Sequence, residues 1–187
     1  MKENYKEILY DNEILNAERI LLRKFKKADA PDLFEYGSDK ETLKFLAWKG
    51  FKTVEEAKRA IINYYWFELG CYAIELKNNG KCIGCIELKL EPEHEKSSFS
   101  YVLNRLYWGK GFMTEALAVV LELCFTKLDL NRVESTHFIG NEGSGKVMQK
   151  CGMILEGIGK QEMKIKEVFY DVAHYGITKE HWYSCFA

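Results

Sequence analysis

The residues best placed to do chemistry fall in separate stretches of the chain. In the first, Trp108-Gly109-Lys110-Gly111-Phe112-Met113-Thr114, two glycines stand one residue apart just before a long amphipathic run. Glycine lets backbone N–H groups turn toward a ligand and lets that ligand approach closely. Unpaired N–H groups and the positive end of a helix dipole then form an anion site, worth about 0.3–2 kcal/mol per interaction. A pyrophosphate is the group this turn would hold; the plain alternative is a turn that only starts a buried helix. A Walker loop would need G-x-x-x-x-G-K-[ST], and a dinucleotide fingerprint would need glycine where Thr114 stands. The second stretch, Asn141-Glu142-Gly143-Ser144, leads through Lys146 and Met148 to Lys150-Cys151-Gly152-Met153. Alone, it reads as a helix with Asn141 at its cap and Ser144 in its first turn. Glu87 and Glu162 are carboxylates available as proton acceptors, although each also reads as an ordinary solvent-facing charge. His137 reads as a satisfied strand histidine.

Periodicity supplies the elements that must hold these residues. Apolar residues at Met113, Leu117, Val120, Leu121, Cys124 and Leu128 predict a helix after the glycine turn, and residues 98–103 predict a strand before it. Upstream, residues 18–25 read as a strand, and a short helix follows with Asp29 as cap and Pro31 in its first turn. Residues 41–47 form another short helical piece. A capping box (Thr53 with Glu56) opens a helix to about residue 68. Strands 71–77 and 81–90 flank Asn78-Asn79-Gly80, a hairpin signal, and a polar turn at 91–96 leads into residues 97–103. The chain ends with a strand at 132–138, a helix at 142–151 stopped by Gly152, and strands at 153–160 and 169–178. A single domain over 1–187 is expected: an α/β (α+β) fold with a mixed, mostly antiparallel twisted sheet of about seven strands and helices on both faces.

Composition narrows the function. Hydrophobic residues make up 47 % of 187 positions, enough for a substantial core. A formal charge of −1 argues against a general nucleic-acid binder, and Arg23 to Lys27 reads as a solvated strand end. No apolar run reaches the ~18 residues of a membrane span, and the charged N-terminus is no secretory signal. Cys82 and Cys85 form a C-x-x-C without a second ligand pair, so the six cysteines read as free thiols in a reducing cytoplasm, with no metal.

Taken together, the stretches resemble the GNAT superfamily of acyl-CoA-dependent N-acetyltransferases. The likeness is closest to the branch holding ribosomal-protein N-terminal acetyltransferases and polyamine acetyltransferases. Tyr107 to Ala116 resembles that branch's cofactor loop, and Asn141-x-x-Ser144 with Lys150-Cys151-Gly152-Met153 resembles its second motif, collinear over about residues 18–183. The resemblance implies acetyl-CoA as acetyl donor. Amides of Trp108, Gly109, Lys110, Gly111, Phe112, Met113 and Thr114 would bind its pyrophosphate, and the strand edge at Tyr101, Val102 and Leu103 would pair with the pantetheine arm like an added strand. An N–H near Leu103 would polarise the thioester carbonyl; one such donor is worth about 10² to 10³ in rate. Asn141 would hold the arm, with Ser144 and Lys146 beside it. Leu106 stands where the superfamily often has Gln or Arg. Met148 stands where many members have a tyrosine that protonates the departing thiolate, and methionine has no proton to give. Ser144, one turn earlier, is the substitute donor to the sulfur.

The acceptor must attack as a free amine. An α-amino group is about 10 % neutral at pH 7, a lysine-like amine far below 1 %, and the gap of about 2.4 units is about 3 kcal/mol. A protein or peptide N-terminus is therefore the first expectation, with Glu162 or Glu87 as base, and a polyamine or antibiotic-like amine the second. The substrate groove is expected between residues 42–51, with Trp48 and Phe51 as wall or core, and residues 160–166. The acidic turn Glu91, Glu93 and Glu95 would either attract a cationic amine or be a wet hairpin tip. A non-catalytic CoA-binding module and an RNA-associated domain are the rival classes. Either a monomer or a homodimer is compatible.

Overall fold

The alternating strands and turn signals assemble into one twisted sheet. The computed structural model describes residues 5–186. In chain order its elements are α1 (Tyr5–Asp11), β1 (Leu15–Asn16), β2 (Ile20–Arg23), α2 (Ala30–Gly37), α3 (Val54–Ala60), β3 (Cys71–Leu76), β4 (Cys82–Glu91), β5 (Lys96–Leu103), α4 (Phe112–Glu122), β6 (Arg132–Phe138), α5 (Glu142–Lys150), β7 (Ile154–Ile165), β8 (Val168–Thr178) and α6 (Lys179–Phe186). The sheet order is β1-β2-β3-β4-β5-β6-β8-β7. Every neighbouring pair is antiparallel except β5 with β6, which is parallel. The expected mixed sheet is present, with the two-residue β1 as an eighth strand at one edge.

Strand periodicity sends alternate side chains to opposite cores. Tyr72, Ile74 and Leu76 of β3 pack with Met113, Leu117 and Leu121 of α4, whereas Cys71 and Ala73 pack with Leu33 of α2 and Ala57 of α3. Each large aliphatic side chain buried this way contributes about 1.5–3 kcal/mol over leaving it in water. Helices thus cover both faces, as the apolar patterning requires. Cys71, Cys82, Cys85, Cys124 and Cys151 are buried free thiols; only Cys185 is exposed. Burial pushes the thiols of Cys85, Cys124 and Cys151 up to about 12.

Local chemistry overrides the sequence expectation in several places. Residues 41–47 are turns, not a helix: the Asp39 carboxylate accepts the Thr42 N–H and hydroxyl at 2.9 and 2.8 Å, a local alternative to a helical ladder. The helix opened by Thr53 keeps its cap (Glu56 N–H to Thr53 Oγ1, 3.2 Å), but Glu56 reaches back to Lys52 N–H at 2.7 Å. After Ala60 it widens into a π-turn, Ile61–Tyr65, where Tyr65 stacks on Phe25 and the Trp66 indole donates to the Phe25 carbonyl at 2.9 Å. The strand expected to end at residue 160 instead runs on as β7 to Ile165, before a two-residue tip, Lys166 and Glu167, with φ of 47° and 70°. The acidic turn at 91–95 sits at the far end of the β4–β5 hairpin from Leu103, eight residues or about 25 Å of strand away.

Candidate active site

The glycine turn is built as an open anion cradle. Gly109 and Gly111 have φ of 71° and 83°, the left-handed region that glycine enters without a steric cost. A Cβ added at Gly109 would meet nothing within 4 Å, so one side of the turn is bare. Gly111 is the N-cap of α4 and no side chain caps the helix. The ladder begins with Glu115 N–H to the Gly111 carbonyl at 3.0 Å, so the amides of Phe112, Met113 and Thr114 precede it. Arg19 holds the turn from behind. Its backbone N–H and Nε donate to Glu115 at 2.6 and 2.7 Å, its Nη1 donates to the Lys110 carbonyl at 3.0 Å, and its guanidinium lies 4.4 Å from the Phe112 ring centre.

Beside the turn the sheet comes apart. The β5–β6 pairing is confined to Lys96↔Arg132, Ser97↔Val133 and Ser98↔Glu134, after which the two strands diverge. The bond from Asn104 N–H to the Ile83 carbonyl, 2.7 Å, fixes which residues of β5 serve β4. In an antiparallel ladder these alternate, so the backbone groups of Phe99, Tyr101 and Leu103 face the gap and those of Val102 face β4. Side chains already occupy two carbonyls on the gap side: Ser135 Oγ donates to Phe99 at 2.7 Å, and the Trp108 indole donates to Leu103 at 2.7 Å. The amides of Tyr101 and Leu103 and the Tyr101 carbonyl are left facing the gap without a strand to pair with. Gly84 permits this packing, since a Cβ there would stand 2.3 Å from the Val102 carbonyl oxygen.

Helix α5 forms the third wall. Asn141 does not cap it with its side chain; Nδ2 donates to Ser144 Oγ at 3.0 Å instead. That leaves the serine O–H as a donor free for another partner. The Tyr101 hydroxyl donates to the Ser144 carbonyl at 3.0 Å, tying α5 to the diverging strand, and burial raises the Tyr101 phenol above its ordinary range. Met148 lies fully buried in the core one turn beyond Ser144. The walls enclose a cleft of 460 Å³ whose lining includes Tyr101, Val102, Leu103, Trp108, Gly109, Gly111, Phe112, Met113, Thr114, Asn141, Ser144 and Lys146. Lys110 is not in that lining, and its side chain lies by Tyr107. Phe45 and Leu46, from the turns after α2, also line it.

The two carboxylates stand outside the cleft. Glu87 is on β4 and accepts the Tyr64 hydroxyl at 2.5 Å, a bond that, with burial, pushes the phenol up. Glu162 is on β7 and bonds His174 Nε2 at 2.7 Å. Trp48 and Phe51 pack on each other over Gly37, and Phe51 belongs to the core under α2 and α3. His137 is buried, its Nδ1 2.9 Å from the Phe138 carbonyl oxygen. Arg19, the Trp108 anchor and His174 carry no sequence signal of their own, because each acts through a partner far away in the chain or through a backbone carbonyl.

An unpaired strand edge, an uncapped glycine turn and a hydroxyl donor around one elongated cleft suit a ligand with a pyrophosphate and an amide-bearing arm. Similarity to known proteins agrees. The family described as "Acetyltransferase (GNAT) domain" matches residues 19–154. The chain is 31 % identical over 175 residues, 91 % of its length and 98 % of the relative's, to the N-acetyltransferase p20 of Bacillus licheniformis. It is 30 % identical to the N-acetyltransferase YnaD of Bacillus subtilis, with 90 % and 98 % covered. A crystal structure of a GNAT-family acetyltransferase from Bacillus anthracis superposes with a TM-score of 0.81 at 27 % identity, covering 89 % of this chain and 99 % of that one. The chain belongs to the GNAT family of N-acetyltransferases, enzymes that generally take their acyl group from acetyl-CoA.

Proposed function

We propose that the enzyme transfers the acetyl group of acetyl-CoA directly to a primary amine, with a protein or peptide N-terminus as the preferred acceptor. The observation that carries this reading is the gap between β5 and β6 opening beside the uncapped turn. The amides of Gly109 to Thr114 would take the diphosphate, and Tyr101 and Leu103 would pair with the pantetheine amides as a missing strand would. Val102 serves the cleft through its side chain only, and Asn141 and Lys146 complete the wall. The donor supplies an activated acetyl group; the chain supplies position, polarisation and a proton acceptor. The Leu103 N–H would stabilise charge developing on the thioester oxygen, and the Ser144 hydroxyl would hydrogen-bond the departing sulfur. As the new C–N bond forms, the C–S bond breaks, the acceptor nitrogen gives up a proton, and CoA leaves as thiolate. Glu87 and Glu162 are carboxylates on the face of the sheet opposite α4 and α5, Glu87 beside the turn after α3 and Glu162 at the β7 edge.

An N-terminal amine fits because it needs about 3 kcal/mol less help to reach its free-base form than an alkylamine. A polyamine is the second reading and a CoA-binding regulatory module the third. We place the reaction in the cytoplasm, in a monomer or homodimer without nucleic acid; among the described residues no helix is long and apolar enough to cross a membrane. Thiol release from acetyl-CoA over a panel of peptides and polyamines tests the reading. Peptide-dependent release is expected. Release with polyamines alone would move the acceptor, and CoA binding without any amine-dependent release would leave only the module. Ser144→Ala should lower kcat by more than it weakens CoA binding; unchanged turnover would remove the serine from the reaction.

A further inference from the structure

The pairing of β7 with β8 breaks in one place, and the break builds a carboxylate–imidazole pair. Gly159 pairs with Val172 and Met163 with Tyr170, so Lys160, Gln161 and Glu162 stand opposite Asp171 alone. The protrusion is held in shape. Gln161 takes a φ of 49°, its N–H donates to Asp171 Oδ1 at 2.9 Å, and Lys160 Nζ donates to Asp171 Oδ2 at 2.7 Å. The Asp171 carbonyl in turn accepts the Ile139 N–H at 2.9 Å, which joins the bulge to the end of β6. Glu162 thereby folds back over its own strand. A Cβ at Gly159 would lie 1.7 Å from Glu162 Oε2, so only glycine leaves room for the returning carboxylate. It ends 2.7 Å from His174 Nε2, with both side chains about 40 % exposed (39 % and 42 %). Bulges that re-aim a side chain in this way cluster beside active sites.

The pair lies on the face from which an acceptor would come. His174 is in register with Thr136 of β6, and Glu134 of β6 with Ser98 of β5, so all four point to the face that carries Val102 and Glu87. On the other face, Tyr175, Ala173 and Ile177 of β8 are packed under α5 and α6 residues such as Met148 and Trp182. This face, covered by α2 and α3 over β3 and β4 but exposed at Thr136 of β6, meets the β5–β6 gap from the side opposite α4 and α5.

Resting on the reading above, we propose that His174 is the base that takes the proton from the acceptor amine, with Glu162 as its positioning residue. A carboxylate on Nε2 fixes the tautomer with hydrogen there and leaves Nδ1 with a lone pair, and it stabilises the imidazolium once the proton has arrived. The groups facing His174 from neighbouring elements are Glu162 and Glu156 on β7 and Thr136 on β6; the Glu156 charge is held by Arg132. A neutral imidazole is the active form, so kcat/KM rises with pH along one limb.

The test is the pH profile of kcat/KM for a peptide acceptor, with CoA affinity measured in parallel. His174→Gln keeps a hydrogen-bond donor for Glu162 but takes no proton. It should lose about 10²-fold or more in kcat with CoA binding unchanged. His174→Ala should lose as much and regain part of it with added imidazole. Glu162→Gln should lower kcat for the peptide acceptor with CoA binding unchanged, and Glu162→Asp should restore part of it. A His174→Gln enzyme at the wild-type rate, or a Glu162→Gln enzyme at the wild-type rate, overturns the pair while acetyl transfer stands. A wild-type enzyme that binds acetyl-CoA and acetylates no amine overturns the underlying reading instead.

Discussion

Gly109 and Gly111 show how a residue type becomes function through one backbone angle. Both need positive φ, but they differ in surroundings: a Cβ at Gly111 would come 3.3 Å from the Arg19 guanidinium, and one at Gly109 would touch nothing. Gly109→Ala therefore isolates the conformational cost, about 1–2 kcal/mol for a non-glycine residue in the left-handed region. Bare on one side, the free turn can relax, so the cost falls on the bound form: calorimetry should show CoA binding weakened about 5- to 30-fold with the thermal transition little moved, and wild-type affinity would mean that the turn's shape does not hold the diphosphate. This much was legible in the sequence, because a Gly-x-Gly before a helical period says what the backbone must do. Asn141 and Ser144 were legible as spacing only. Their mutual hydrogen bond, which frees the serine proton, depends on a side chain declining its usual capping role.

At the scale of elements, two ion-pair clusters fasten the N-terminal strands to the rest. Arg19, next to the start of β2, clamps α4 through Glu115 and is itself 44 % exposed. Arg19→Ala should change global stability by less than about 1 kcal/mol, as surface pairs do, yet weaken CoA binding several-fold by loosening the turn. Equal effects on both would contradict a positioning role. Arg23 in β2 is different: it is buried, paired with Asp29 through two hydrogen bonds of 2.7 and 2.8 Å, and bonded to Glu75 of β3 at 2.5 Å. Asp29→Ala leaves a buried guanidinium short of one partner and should cost about 3 kcal/mol in urea unfolding; a cost near zero would show that water reaches the site. Asp29 does stand at the N-cap of α2, as the sequence suggested, but its carboxylate makes no cap bond and pairs with Arg23, which had read as part of a solvated strand end. Their real role is a contact between elements, which local pattern does not encode. The helical period at 41–47 misled for a related reason, since the Asp39 side chain outbid the backbone for the Thr42 N–H.

Over the whole molecule, acidic groups tied to cations set the response to pH. Lys81 draws Glu35 below its usual range, Arg132 does so for Glu156, and for Glu134 the Lys96 and Arg132 bonds outweigh the opposing effect of burial. A carboxylate depressed in the folded state stabilises the fold above its unfolded value, near pH ~4.3, and loses that contribution as pH falls through the folded value. Unfolding midpoints should be flat near neutrality and drop below that point, and Arg132→Met should shrink the acid-side drop. An unchanged slope would mean these pairs do not couple to folding. Sheet and order of elements were foreshadowed by turn signals and periodicity, and the glycine turn by its spacing; the other walls of the cleft came only from the family resemblance. The open edge of β5 at Tyr101 to Leu103 was implied by the resemblance alone, because local pattern does not say where pairing between two distant segments stops, here at Ser98 and Glu134. That open edge is also what the functional account rests on. Residue-resolved amide exchange with and without acetyl-CoA tests it most directly. Slowed exchange is predicted at Tyr101, Leu103 and Phe112 to Thr114, with no change at Ser97 and Ser98; a bound coenzyme that leaves those amides exchanging at their free rate would contradict it.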